Sequence, residues 1–226
     1  MGHWGDRRLD GGGVRHVVWD WNGTLFDDHV AVVAAINDAL ALLNLRPIDS
    51  HTFRSHFTRP VQRFYELVAG RPIEPGEWRT LDEAYHDSYH AWVERLKLAP
   101  DAWAALAAAE AAGLTQSLLS MWRHQDLLLL VERLGIGRFF LRVDGLRVPG
   151  GGGKTEHLVA HLAALEVEAS AALLVGDTLD DLAAARAVGA RCVLYDGGSH
   201  HRDALEATGV PVVDTLTDAL AAAKDL

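Results

Sequence analysis

Val14-Arg15-His16-Val17-Val18-Trp19-Asp20-Trp21-Asn22-Gly23-Thr24-Leu25 decides how the rest of the chain is read. Residues 14–19 are short, mostly apolar and rich in β-branched side chains, and they run directly into a polar, glycine-containing turn. That pattern predicts a buried strand that delivers a carboxylate, Asp20, at its carboxyl end. Outward from it, Val30, Val33, Ile36, Leu40 and Leu43 recur at helical spacing. They predict a helix over about 28–45 with Asp27 or Asp28 as N-cap. Residues 46–100 change character. They hold His51, His56, His86 and His90 and eight aromatics, are broken by Pro47, Pro60, Pro72 and Pro75, and show helical spacing without a clear strand. Residues 28–98 are therefore read as a helical insert. Beyond Pro100, helices are expected at 102–112, 126–134, 154–165 and 180–188, with a further helix at the end of the chain. Strands are expected at 114–120, 139–143, 171–175, 192–195 and 210–213. Strands alternating with helices imply an α/β fold: a Rossmann-like parallel sheet with helices on both faces, here carrying the inserted helical segment.

The bulk properties fit a globular chain. Of 226 residues, 49% are hydrophobic and 23% charged, and the net charge of -10 disfavours nucleic-acid or anionic-membrane partners. A few local cations or a metal would still suffice for a phosphorylated substrate. The single cysteine, Cys192, has no internal disulfide partner and reads as a buried thiol, in keeping with a reducing cytoplasm. No apolar run approaches the roughly 20 residues of a membrane span. Residues 1–13 are polar and glycine-rich, lack the apolar stretch of a signal peptide, and are read as a flexible leader.

Four strand ends or following loops carry the chemistry. A carboxylate leaving a buried strand is costly without a partner, so Asp20 calls for one, although a turn cap is the plainer reading. Ser120 ends the 114–120 strand, where a serine is also a common turn former. Lys154, one of only three lysines, follows the glycines at 150–153. A P-loop is excluded there, because the glycine it needs six residues before the lysine is Val148. In Leu173-Leu174-Val175-Gly176-Asp177-Thr178-Leu179-Asp180-Asp181 a strand delivers Asp177, and Asp181 follows at i+4. Clustered carboxylates repel unless a cation joins them, and oxygen-only ligands favour Mg²⁺. Helix capping by Asp180 or Asp181 is the alternative, and it leaves Asp177 unexplained.

Together these elements resemble the haloacid dehalogenase superfamily from Val14 onward. Asp20-Trp21-Asn22-Gly23-Thr24 looks like its first motif, Ser120 its second, Lys154 its third, and Gly176-Asp177 with Asp181 its fourth. The resemblance implies a phosphohydrolase, with the phosphoglycolate phosphatases as the type it suggests, in which Asp20 attacks phosphorus and forms an aspartyl-phosphate. It implies Mg²⁺ held by the Asp20 and Asp177 carboxylates and the Asn22 main-chain carbonyl, with Asp181 helping through water. Ser120 and Lys154 would hold the phosphate oxygens of a small phosphorylated metabolite, with Thr24 as a further contact. Apart from the resemblance, segment 51–65 carries Arg54, Arg59 and Arg63, which either meet an anionic substrate, Arg59 being the candidate contact, or are solvated helix charges. Residues 14–27 and 99–226 would form the core domain, and residues 28–98 the small cap domain that sets substrate choice.

One departure matters. Phosphatases of this family usually carry aspartate where this chain has Asn22, and an amide can neither protonate a leaving group nor activate water. General acid–base help is worth on the order of 10²–10⁴ in rate. Three readings therefore stand: a phosphatase, a catalytically weak phosphate- and Mg²⁺-binding protein, and a haloacid dehalogenase, which the intact Asp177 and Asp181 argue against. A phosphonate hydrolase would need a cap lysine, and Lys97 sits only at the return hinge. His51, His56, His29 and His124 are candidates to replace the missing carboxylate.

Overall fold

The computed structural model describes residues 13–148 and 152–223. The opening stretch forms β1 (His16–Trp19). Val17 and Trp19 point into one apolar layer and Val18 into another. Burial on both faces explains why the run is continuously apolar.

In chain order there follow β2 (Phe26–Asp27), α1 (His29–Leu42), α2 (Ser50–His56), α3 (Val61–Ala69), α4 (Pro75–Val93), β3 (Lys97–Leu98) and α5 (Ala102–Ala111). Then come β4 (Thr115–Arg123), α6 (His124–Arg133), β5 (Arg142–Leu146), α7 (Lys154–Leu165), β6 (Ala172–Gly176) and α8 (Leu179–Val188). The chain continues through β7 (Arg191–Tyr195), α9 (Arg202–Glu206), β8 (Val212–Val213) and α10 (Leu216–Ala222). Six strands form one sheet in the order β5-β4-β1-β6-β7-β8, every neighbouring pair parallel. On one face Trp19, Leu118, Leu173 and Val193 pack against α5, α6 and α10. On the other, Val18, Leu119, Leu174 and Leu194 pack against α7, α8 and α9, and Cys192 is a buried free thiol in that layer.

The second layer also buries a polar row. His16 Nε2 and His161 Nε2 both lie 2.7 Å from Ser117 Oγ, His16 Nδ1 lies 2.8 Å from Thr115 Oγ1, and His161 Nδ1 lies 2.7 Å from Asp144 Oδ2. Serine, histidine and carboxylate in a row suggest a nucleophile, but Ser117 is fully buried under α7 and no substrate reaches it. The row satisfies polar groups that β1, β4 and β5 carry into the core.

Between β2 and β3 the four helices α1–α4 assemble an apolar cluster of their own, with Ile36, Leu40, Phe53, Phe64, Tyr65 and Leu81 buried. α1 packs on α4. Its buried residues are Ala31, Ala35, Ile36, Ala39 and Leu40: Ile36 and Leu40 of the expected face are buried, whereas Val30 is 68% exposed and alanines take part of the stripe. The small side chains permit a close approach that the valine spacing did not reveal.

The structure corrects the sequence reading elsewhere too. β2 and β3 pair antiparallel, Phe26 with Leu98 and Asp27 with Lys97, so the 46–100 stretch does contribute a strand. Two-residue strands carry no periodicity to read. The strand expected at 139–143 begins at Arg142, after a turn of 3-10 helix at Gly137–Phe139. It is an edge strand, and its outer side tolerates charge. α9 was not anticipated. The leader expected at 1–13 lies, except for Gly13, outside the described residues.

Candidate active site

The strand order reverses around β1, with β4 and β5 on one side and β6 to β8 on the other. In open parallel sheets such a reversal leaves a crevice at the carboxyl ends of the strands, where ligands bind. Asp20, Ser120 and Asp177 converge there. Asp20 is the first residue past β1, and its N–H donates to the Val175 carbonyl of β6 at 2.9 Å. Asp177 is the first residue past β6, and Asp181 lies in the first turn of α8. Lys154 opens α7.

The carboxylates of Asp20, Asp177 and Asp181 are all buried, with ligand oxygens within 4.8 Å of one another. Lys154 Nζ makes close ion pairs with both Asp20 Oδ1 and Asp181 Oδ1. Three carboxylates facing one ammonium leave two negative charges in a site shielded from water, the charge of one divalent cation. Among the three, Asp177 is the carboxylate least compensated by its surroundings. Burial pushes the Asp177 carboxyl well above its usual range, and Asp20 and Asp181 push it further. Only neutral donors answer it among the described residues: the Ser199 N–H at 2.6 Å and Thr24 Oγ1 at 3.4 Å. Burial also raises Asp20, to about 6, because the opposing pull of Lys154 is smaller. For Asp181 burial is outweighed by Lys154 and by hydrogen bonds from Thr178, and its carboxyl is lowered. An all-oxygen, doubly negative cluster fits a hard divalent ion such as Mg²⁺.

Glycines make room for the cluster. Gly23 has φ +71°, and a Cβ there would stand 2.6 Å from Asp177 Oδ2. Gly198 crowds the same carboxylate, and Gly176 crowds Asp181.

Ser120 lies where the β4–β5 register shifts. Its Oγ accepts from the Trp122 N–H at 3.0 Å and faces Asn22 Oδ1 at 3.4 Å. Thr24 is fully buried with its hydroxyl turned to Asp177, and so braces a carboxylate of the cluster. Arg59 bridges from the helical insert to the core, 3.3 Å from Asp180 Oδ2 and 40% exposed. Nearby contacts run parallel to it: Arg54 Nη2 donates to the Gly197 carbonyl at 3.1 Å, and the His51 and His201 rings lie 4.6 Å apart. Asp20 is left only 6% exposed. A crevice of about 230 Å³ opens beside the hinge, between Phe26, Asp27, His29, Pro100 and Tyr195, and borders the site at Gly23, Thr24 and Gly197.

None of the candidate histidines is shown bonded to a site residue. His56 Nδ1 faces the Thr52 carbonyl, His124 Nδ1 accepts from the Gly145 N–H, and His29 packs edge-on against Phe53. The groups that do surround Asn22 were missed. Its amide meets Asp28 and Tyr89, 6 and 67 residues away. The adjacent Asp27-Asp28 pair was the available signal, and helix capping absorbed it.

No helix among the described residues is long and apolar enough to cross a membrane. Residues 14–189 match the family model of haloacid dehalogenase-like hydrolases. The chain is 27% identical over 217 residues to a phosphoglycolate phosphatase of Mesorhizobium japonicum, covering 91% of this chain and 94% of that one. It is 31% identical over 162 residues to a ribulose-1,5-bisphosphate 5-phosphatase of Halopiger xanaduensis, covering 70% and 64%. In fold it is similar to the crystal structure of a putative phosphoglycolate phosphatase from Lactobacillus delbrueckii, with TM-score 0.80 and 18% identity over 93% of this chain and 98% of that one. The chain belongs to the haloacid dehalogenase-like hydrolases.

Proposed function

We propose that this phosphatase hydrolyses a small organic phosphate monoester with Mg²⁺ as cofactor, through an aspartyl-phosphate formed on Asp20. The observation that carries the reading is the buried Asp20, Asp177 and Asp181 cluster, which Lys154 neutralises only in part. Bound Mg²⁺ supplies charge neutralisation at the phosphoryl group. Its holders would be the Asp20 and Asp177 carboxylates and the Asn22 main-chain carbonyl, with Asp181 in support. Asp20 supplies the nucleophilic oxygen, which splits the hydrolysis into two easier steps. Ser120 and Lys154 hold phosphate oxygens and align them for attack. Residues 28–98 act as a cap, hinged at β2 and β3, and its Arg59 pairs with Asp180 in the first turn of α8. Several relatives carry the name phosphoglycolate phosphatase, which makes a short phosphorylated carboxylic acid the first substrate to test.

Turnover of an aryl phosphate and of phosphoglycolate, with Mg²⁺ and in excess chelator, tests the reading. Wild type should need Mg²⁺, and Asp20→Asn should remain folded and inactive. Full activity in chelator removes the proposal. Phosphate binding without turnover by either protein leaves a phosphate- and Mg²⁺-binding protein instead.

A further inference from the structure

Asp28 occupies the N-cap position of α1 but makes no side-chain bond to the helix. Its carboxylate is turned the other way and is 1% exposed. Oδ2 accepts from Asn22 Nδ2 at 2.7 Å and from the Tyr89 hydroxyl at 2.6 Å, and Oδ1 accepts from the Gly23 N–H at 2.8 Å. Asn22 Nδ2 also donates to the Tyr89 oxygen at 3.0 Å. Tyr89, 2% exposed, comes from α4 of the cap and stands edge-on to Trp122 of β4.

These partners determine which end of the Asn22 amide faces the reaction. A carboxylate only accepts, and the one proton of Tyr89 is already given to Asp28. The NH₂ end of Asn22 must therefore face inward. Its carbonyl oxygen is left on the other side, accepting from the Ser120 hydroxyl at 3.4 Å. With no acid at position 22, that orientation becomes the residue's chemical contribution. An outward NH₂ would offer donors to the reacting groups. The outward carbonyl offers a fixed acceptor, able to align the O–H of a water or of a departing alcohol without removing its proton.

We propose that Asp28 and Tyr89 are positioning residues that lock Asn22 with its carbonyl oxygen presented to the substrate, so that position 22 works as an oriented hydrogen-bond acceptor. The inference rests on the phosphomonoesterase reading and extends it. It also changes what restoring the usual carboxylate would do. Asn22→Asp alone sets a second carboxylate 2.7 Å from Asp28, and like charges that close cannot both persist in a buried site. Donor and acceptor are matched again only when the two residues are exchanged, Asn22→Asp together with Asp28→Asn.

The test uses full-length protein and two readouts. In ¹H–¹⁵N spectra the Asn22 side-chain NH₂ should exchange slowly with water, with or without Mg²⁺, and Tyr89→Phe should speed that exchange. With an aryl phosphate and Mg²⁺, Asp28→Asn should lower kcat about tenfold or more, the scale of one lost hydrogen bond to a charged group, and leave KM within about twofold. Tyr89→Phe should show a smaller loss of the same kind. The double exchange should recover at least the wild-type kcat. Fast amide exchange in wild type overturns the proposal, as does wild-type kcat in folded Asp28→Asn and Tyr89→Phe. Should Asp28→Asn fail to fold, Tyr89→Phe and the double exchange decide: unchanged amide exchange and kcat in the first, or a folded but inactive second, overturns it. A wild type that hydrolyses no phosphate ester counts against the functional reading alone, because the amide measurement still reports on the lock.

Discussion

Lys154→Met keeps the length of the side chain and removes its charge. Lys154 is 8% exposed and, among the described residues, is the only cation paired with Asp20 or Asp181. Withdrawing one partner from a buried ion network leaves uncompensated charge, at a cost of about 3–5 kcal/mol. For a chain of this size each kcal/mol moves Tm by about 2–4 °C, which gives a loss of about 6–20 °C. The loss should depend on pH. Asp20 already sits above its unfolded range, raised to about 6 by burial. A carboxyl raised in the folded state favours folding while it is protonated, and that advantage disappears as pH rises through the folded value. The variant should therefore be hurt less at pH 5 than at pH 8. A divalent ion supplies the missing positive charge, so Mg²⁺ should raise the Tm of the variant more than that of wild type. Thermal unfolding at both pH values, in chelator and in millimolar Mg²⁺, checks each step. A variant with wild-type Tm at pH 8 in chelator, and no larger response to Mg²⁺, refutes the charge argument.

Other perturbations reach different parts of the structure. Asp177→Asn should raise the Mg²⁺ needed for half-maximal activity by more than about tenfold, the lower bound for losing even an outer-sphere partner, as read from a metal titration of turnover. Gly23→Ala must place a side chain at φ +71° and against Asp177, so unfolding in urea should show a loss of at least about 1–2 kcal/mol, with weaker Mg²⁺ dependence. Burial, with His161 beside it, lowers His16 to about 4. A histidine lowered in the folded state stabilises the fold while neutral and loses that contribution as pH falls from about 6.5 toward 4, by up to about 3 kcal/mol. Urea midpoints between pH 7 and 4.5 should fall accordingly, and less steeply for His16→Gln; parallel slopes for the two proteins would rule the buried imidazole out as the cause.

What the sequence disclosed follows the range of its signals. Asp20, Lys154 and Asp177 were legible because each sits where a strand or glycine-rich loop meets a turn or helix, a junction marked by neighbouring residues. The helices of the core announced themselves through glycine stops such as Gly113 and Gly189. Hidden from that reading was everything formed by pairing across the chain. Asp28 looked like a helix cap because capping is the local use of an aspartate before an apolar run. Its actual partner, Tyr89, lies 61 residues away on another helix. Ser199 and Gly198 join Asp177 from the loop after β7 without any compositional mark. The alanine stripe of α1 was overlooked because spacing was sought among large side chains, whereas close packing against α4 selects small ones.

The helical insert leaves the core at Phe26–Asp27 and returns at Lys97–Leu98, and these two ends lie side by side. A segment whose ends coincide is the geometry of a cassette. It can be lengthened, replaced or exchanged between genes by recombination without rerouting a single core strand, so the helical segment can diverge while the sheet stays fixed. In this protein the cassette is not wholly interchangeable. A donor segment must bring a carboxylate to the place of Asp28 and a hydroxyl to the place of Tyr89, or Asn22 of the core it lands on loses both partners of its amide.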